Sequence, residues 1–179
     1  MNQQEDAETT FDYLIKTYQK GPFVGSAAYR LAVLRFNGKD YQSSLDYFKI
    51  AASELTNEEA KLQAKFYLAR CYQLTKQTDL AISQYDAVLK SSPTAEENPF
   101  YERCLLETAR LLFDTGEIEK SMERFEKLAN ETKNKEFKEE AIVRGGLLAA
   151  EAGKPELSEK FLDQAMRFSD TSPWKALAL

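Results

Sequence analysis

From Leu62 to Pro93 the chain reads LQAKFYLARCYQLTKQTDLAISQYDAVLKSSP, with two stripes of small and apolar residues stepping by three and four. Ala64, Leu68, Ala69, Cys71 and Tyr72 form the first stripe. Ala81, Ile82, Tyr85, Val88 and Leu89 form the second, after a short polar break and before a closing proline. That step is the period of one face of an α-helix, so the stretch predicts two amphipathic helices joined by a turn. Alanine falls in both stripes, where two helices must cross closely.

The same layout recurs along the chain. Residues 4–18 place Ala7, Phe11, Leu14, Ile15 and Tyr18 on one helical face, and Gly21-Pro22 reads as a stop. A helix over about Gly25 to Asn37 carries Ala28, Leu31, Ala32 and Leu34. The turn Asn37-Gly38-Lys39-Asp40 then leads to a stripe at Tyr41, Leu45, Phe48, Ala51 and Ala52. Asn57 followed by Glu58-Glu59 predicts an N-cap with acidic residues in the first turn, where the helix dipole favours them. Asn98-Pro99 predicts another start, a cap followed by proline at the first helical position, ahead of Leu105, Ala109, Leu112 and Phe113. Thr115-Gly116-Glu117 turns into Ile118, Met122, Phe125, Leu128 and Ala129. Asn134 opens a helix with Ala141, Ile142, Gly145, Gly146, Leu148 and Ala149, and Gly153-Lys154-Pro155 turns into Leu157, Phe161, Leu162, Ala165 and Met166. The closing SPWKALAL reads as a capping helix or the start of a further one.

These residues resemble the tetratricopeptide repeat: a helix with a core of leucine, a small residue and a tyrosine, a turn, a second helix of the A-[IL]-x-x-[YF]-x-x-[AV]-L type, then proline. The small residue at the eighth repeat position is Ala32, Ala69, Ala109 and Gly146, at spacings of 37, 40 and 37 residues. The standard repeat is about 34 residues, so each junction holds about one extra helical turn or a longer loop. The resemblance implies an all-α fold, a right-handed α-α superhelix of about four helix-turn-helix repeats in one domain, with partial repeats or caps at both ends. The divisions it implies are 4–22, a cap helix; 25–56, 57–95, 96–133 and 134–171, the repeats; and 172–179, a cap or further repeat. The long spacing also resembles divergent members of the bacterial cell envelope, which favours a periplasmic or envelope location and an adaptor role in envelope assembly. Three departures stand out. Arg35 and Leu112 replace the usual tyrosine at position eleven, Ser44, Ser121 and Ser158 replace alanine at position twenty, and Gly145-Gly146 sits inside a helix at a cost of about 1 kcal/mol each relative to alanine.

In the family, positions two, five, nine, twelve and thirteen of each first helix face a concave groove. Carried over, this implies Ser26, Tyr29, Val33 and Phe36, then Gln63, Phe66, Arg70 and Gln73. Arg103, Leu106, Arg110 and Phe113 follow, and Glu140, Val143 and Leu147 close the series. Aromatic anchors beside planar guanidinium donors suit a protein or peptide partner with acidic side chains. The plainer alternative is that the aromatics serve packing and the arginines are solvated. The lysine and asparagine of the carboxylate-clamp subclass are absent, since positions five and nine hold Tyr29, Val33, Phe66 and Arg70. A second functional reading is architectural: a self-associating segment or part of a longer array, favoured by exposed apolar groups at Leu14, Tyr18, Trp174 and Leu177.

Composition narrows the chemistry. The 179 residues are 43 % hydrophobic and 30 % charged, ordinary for a folded domain. A net charge of −5 without a basic block disfavours nucleic acid. No run of eighteen apolar residues predicts membrane insertion, and the acidic, polar N-terminus is not a secretory signal. With no histidine and two cysteines, Ser-His-Asp, Cys-His and HExxH chemistry and the usual zinc sets have no ligands to use. Cys71 and Cys104 fall about 10 Å apart in helical rise, beyond the ~7 Å reach of a disulfide, which predicts buried, reduced thiols. Glu58-Glu59, Glu96-Glu97 and Glu139-Glu140 lie near helix starts, and neighbours on a helix do not face one way. No catalytic residue, metal or cofactor is expected.

Overall fold

The computed structural model describes residues 3–18 and 20–178. Met1 and Asn2 of the polar N-terminus, and Leu179 of the closing segment, lie outside the described residues. Among the described residues there are ten helices and no strand: α1 (Gln3–Tyr18), α2 (Pro22–Asn37), α3 (Tyr41–Glu54), α4 (Glu58–Leu74), α5 (Thr78–Ser91), α6 (Tyr101–Asp114), α7 (Ile118–Glu131), α8 (Lys135–Glu151), α9 (Pro155–Ala165) and α10 (Lys175–Ala178). Within each unit neighbouring helices pack pairwise, α1 through α4 in the first and α6 through α9 in the second, as an all-α helical-repeat fold requires. The chain divides into two compact units, Met1–Val88 and Leu89–Leu179.

Four hairpin turns are built alike, which explains their regular spacing. Lys39, Lys76, Gly116 and Gly153 take positive φ of 62°, 59°, 80° and 68°. In the first of these turns Lys39 N–H donates to the Phe36 carbonyl and Asp40 N–H to that of Arg35, at 3.0 and 2.9 Å. The same pair of bonds recurs at Lys76-Gln77, Gly116-Glu117 and Gly153-Lys154. This is a Schellman ending, in which a left-handed residue lets the last helical carbonyls find donors. Gly38, the glycine of the first turn, has an ordinary φ of −76°, and the left-handed strain falls on Lys39 instead. A left-handed non-glycine residue costs about 1–2 kcal/mol, partly offset by the entropy glycine loses on folding, about 0.5–1 kcal/mol. Lys39→Gly and Lys76→Gly should therefore each raise unfolding free energy by about 0.5 kcal/mol, and Gly116→Ala and Gly153→Ala should lower it by about 1 kcal/mol. Urea titrations of the four variants check the opposite signs.

The serines at position twenty have a physical role. Ser44 and Ser121 are fully buried, and their hydroxyls donate to the carbonyls of Ala32 and Ala109, both at 2.8 Å. Each bond ties the second helix of a hairpin to the close-crossing point of the first. Cys71 adds its thiol to Ser44 Oγ at 3.5 Å.

In the first unit α2 begins at Pro22, three residues before the expected start. Proline occupies the first helical position, where no N–H is needed, so Gly21-Pro22 opens a helix as well as ending one. Gly21, at φ 110°, donates its N–H to Glu54 Oε2 at 2.8 Å. The core gathers Val24, Leu31, Leu45, Phe48 and Leu68, with Ile15 of α1 at its edge. Asp40, Asn57 and Asn134 cap α3, α4 and α8, accepting from the N–H of Ser43, Ala60 and Phe137 at 3.2, 2.8 and 3.1 Å.

In the second unit the expected cap at Asn98 is not formed. Helix α6 starts at Tyr101, and Asn98 is a buried loop residue. Its amide accepts from Phe100 N–H at 2.9 Å and donates to the Ser92 carbonyl at 3.0 Å, fixing the turn ahead of the helix. The paired glycines of α8 sit under Phe161: a Cβ on Gly145 or Gly146 would come within 3.3 or 3.1 Å of that side chain. The closing segment packs on α8 and α9. Ser172 donates to the buried carboxylate of Glu139 at 2.7 Å, and the Arg144 guanidinium lies 5.4 Å from the Trp174 ring centre.

Candidate functional site

The α2 face of the first unit borders a cleft of about 520 Å³. Phe11 of α1, Tyr29, Val33 and Leu34 of α2 and Ala60 of α4 supply its apolar lining, with Ser26 and Arg30 on α2 as the polar groups. Tyr29 is half-buried, its ring set edge-on against Phe48 at 5.9 Å, and burial pushes its phenol above the ordinary range. About two turns of α2 place Ser26, Tyr29, Arg30 and Val33 along one strip, exposed or half-exposed, because they step by three and four.

Beyond the cleft, Phe36 packs edge-on against Tyr41 and Tyr67, with ring centres at 5.3 and 5.4 Å. The Arg70 guanidinium lies 5.3 Å from the Phe36 centre, a cation-π contact that holds the charge over the aromatic face. Phe66 is only 5 % exposed and packs between Tyr67 and Tyr85. Gln73 accepts the Tyr85 hydroxyl at 2.7 Å. So Tyr29, Val33, Phe36 and Arg70 are half-buried, whereas Phe66 is buried between tyrosines, which corrects its expected outward placement, and Gln73 is engaged with Tyr85 of α5.

The second unit treats its arginines differently. Arg110 donates through Nε and Nη2 to both oxygens of Glu140, at 2.8 and 2.5 Å, and through Nη1 to Glu107 at 3.3 Å. Glu140 also accepts Arg144 Nε at 3.0 Å and is 2 % exposed. The Glu140 bonds push the Arg110 pKa up from its already high ordinary value. Arg103 bonds Glu107 at 3.3 Å and lies 4.8 Å from the Phe137 ring centre. These guanidinium groups are therefore neither free donors nor simply solvated; they are paired within the fold. Leu106 and Val143 are buried, which corrects their expected outward placement, while Phe113 and Leu147 are 40 % and 49 % exposed.

Glu139 and Glu140, expected as dipole-favoured acids at a helix start, are instead buried anchors that point to different partners, Ser172 and Arg110. Cys71 and Cys104 are buried thiols outside any disulfide, and burial raises the pKa of Cys71. Among the described residues no group of three or more Asp, Glu or Cys could hold a metal ion. No described helix is long and apolar enough to cross a membrane. Two features escaped sequence reasoning. Arg30 stands at repeat position six, which the family pattern turns off the groove, and Phe11 was assigned only to its own helix stripe. Their nearness across a helix pair has no local signal.

Comparison with known proteins agrees with this architecture. Two tetratricopeptide-repeat family models match residues 1–60 and 63–95, together more than half of the chain. TPR repeat-containing protein MJ0263 of Methanocaldococcus jannaschii is 28 % identical over 97 residues, covering 54 % of this chain and 29 % of that protein. The chain thus spans under a third of that relative. Among solved structures, YrrB, described as a TPR protein with an unusual peptide-binding site, superposes with a TM-score of 0.67 at 17 % identity, covering 99 % of this chain and 82 % of YrrB. Apo RapI gives 0.75 at 19 % identity over 97 % of this chain and 51 % of its own. PilF of Pseudomonas aeruginosa gives 0.62 at 13 % identity over 93 % and 69 %. At these identities the likeness to the solved structures is one of fold.

Proposed function

Because this chain belongs to the tetratricopeptide-repeat family, a family of non-catalytic interaction modules, we propose that it is a scaffold that takes a peptide or protein partner on the exposed faces of its first helices. Tyr29, Val33, Phe36 and Arg70 form the proposed contact surface of the first unit, and Arg103, Arg110 and Phe113 a rim in the second. The observation that carries this reading is the open cleft beside Tyr29 and Val33, continued along α2 by an arginine held over Phe36. Half-exposed aromatics with a positioned guanidinium are the residue types that dominate binding energy at interfaces. The peptide-binding site ascribed to YrrB supports it by analogy of fold. We extend the reading to an adaptor in bacterial envelope assembly on the long repeat spacing. The division into repeats at 25–56, 57–95, 96–133 and 134–171 belongs to the same proposal.

Affinity capture from a native extract tests it. The partner set retained by the chain should be lost from Arg70→Glu, with helicity unchanged by circular dichroism. An unchanged set would remove the α2–α4 face from the proposal, and the absence of any specific partner would sink it.

A self-associating role is favoured by one observation: Phe23, Tyr13 and Tyr18 near the α1–α2 turn are 81 %, 68 % and 68 % exposed. Light scattering coupled to gel filtration separates the two readings. A constant 20.4 kDa species supports the scaffold, and a concentration-dependent larger one supports self-association.

A further inference from the structure

We propose that the cleft of the first unit recognises a peptide segment in which a bulky apolar side chain stands beside a carboxylate, with Arg30 as the residue that reads the acid. This rests on the scaffold reading above and names the chemistry of its partner. The floor of the cleft is apolar, made by Phe11, Tyr29, Val33 and Leu34, and no acidic residue lines it. Its volume of about 520 Å³ lies within the range of roughly 300–1,000 Å³ usual for sites that enclose a ligand group. The one charged lining group is cationic.

Arg30 is exposed and Arg70 half-buried over Phe36, and neither makes an ion pair among the described residues. Other arginines are consumed internally: Arg35 by Glu8 at 2.9 Å, Arg103 by Glu107, and Arg110 and Arg144 by Glu140. Within the first unit the fold therefore consumes Arg35 and leaves Arg30 and Arg70, on α2 and α4, available to a partner's carboxylate. Arg30 and the Phe36 stack are six residues apart on one helix, about 9 Å of rise. An extended or helical segment anchored in the cleft can place one acid at Arg30 and a second at Arg70. With a net charge of −5 the chain as a whole holds no general attraction for such a peptide, so a cation beside an apolar cleft sets its register. A bare phosphate would gain nothing from the apolar floor, and a basic segment would meet Arg30.

A phage-displayed library of short random peptides panned on the full chain tests the inference. Enriched peptides should carry Leu, Phe or Trp adjacent to Asp or Glu. Synthetic copies should bind Arg30→Glu at least about tenfold more weakly, Arg30→Lys within a few-fold, and Arg167→Glu of the second unit unchanged. Panning repeated on Arg30→Glu should switch the selected flanking charge to Lys or Arg. Peptides that bind wild type and Arg30→Glu equally overturn this inference and leave the scaffold reading standing. Failure to enrich any peptide counts against both. A dimer in light scattering that Arg30→Glu dissolves replaces the peptide with a second copy of the chain.

Discussion

Gly25→Ala should lower the unfolding free energy by about 3 kcal/mol, the upper end of what overpacking costs. A Cβ added at Gly25 would stand 2.7 Å from the carbonyl carbon of Glu54 and 2.7 Å from the Leu55 nitrogen. Both are backbone atoms at the end of α3, so no rotamer change relieves the clash. Helix α2 would have to move off α3, loosening contacts around Val24, Ala28 and Leu45 that are fully buried or nearly so. Alanine's better helix propensity returns only about 1 kcal/mol. Gly145→Ala provides the contrast. Its nearest neighbours are the Phe161 ring edge at 3.3 Å and Phe125 Cβ at 3.4 Å, side-chain atoms that can shift by tenths of an ångström. There the propensity gain roughly offsets the crowding, and a change within about 1 kcal/mol is expected. Urea unfolding followed by circular dichroism measures both. Equal midpoints for Gly25→Ala and the parent would mean that α2 and α3 do not approach as described.

Arg110→Glu is the second large effect, a loss of about 3 kcal/mol. Removing one partner of a buried pair costs about 3–5 kcal/mol, and the lower figure applies because Arg110 itself is 36 % exposed and screened by water. The penalty falls on Glu140, whose side chain is 3 % exposed and would keep only Arg144 while facing a second carboxylate. Arg103→Glu, at a side chain 47 % exposed, should cost under about 1 kcal/mol. The charge-reversed double variant Arg110→Glu with Glu140→Arg should recover at least about 1 kcal/mol of coupling. A cycle with no coupling would show the pair to be energetically idle. A consequence for binding studies follows: a charge reversal at Arg110 confounds partner loss with unfolding, whereas Arg30 has no internal charge partner and Arg70 gives up only its contact with Phe36.

Helix identity was legible because its causes are local. Stripes stepping by three and four, Asn57 and Asn134 at helix starts, and a small residue recurring at 32, 69, 109 and 146 each act within a turn or two of their own position. The turn at Asn98-Pro99 misled because an asparagine ahead of a proline suits either a cap or a loop lock. Burial and the Ser92 carbonyl, six residues back, chose the second.

What the sequence by itself determined is therefore the all-helical repeat and its family; of the positions expected on the outer side of the first helices, Phe66, Leu106, Glu140 and Val143 are buried. What those side chains meet was decided by tertiary structure alone. Arg110 finds Glu140 thirty residues away, Phe66 is covered by Tyr85, and Phe11 of α1 closes a cleft with Val33 and Ala60. A helical repeat fixes the direction of each Cβ through backbone geometry. Whether a guanidinium there remains available to a partner depends on a carboxylate delivered by another helix, and no local period encodes that meeting.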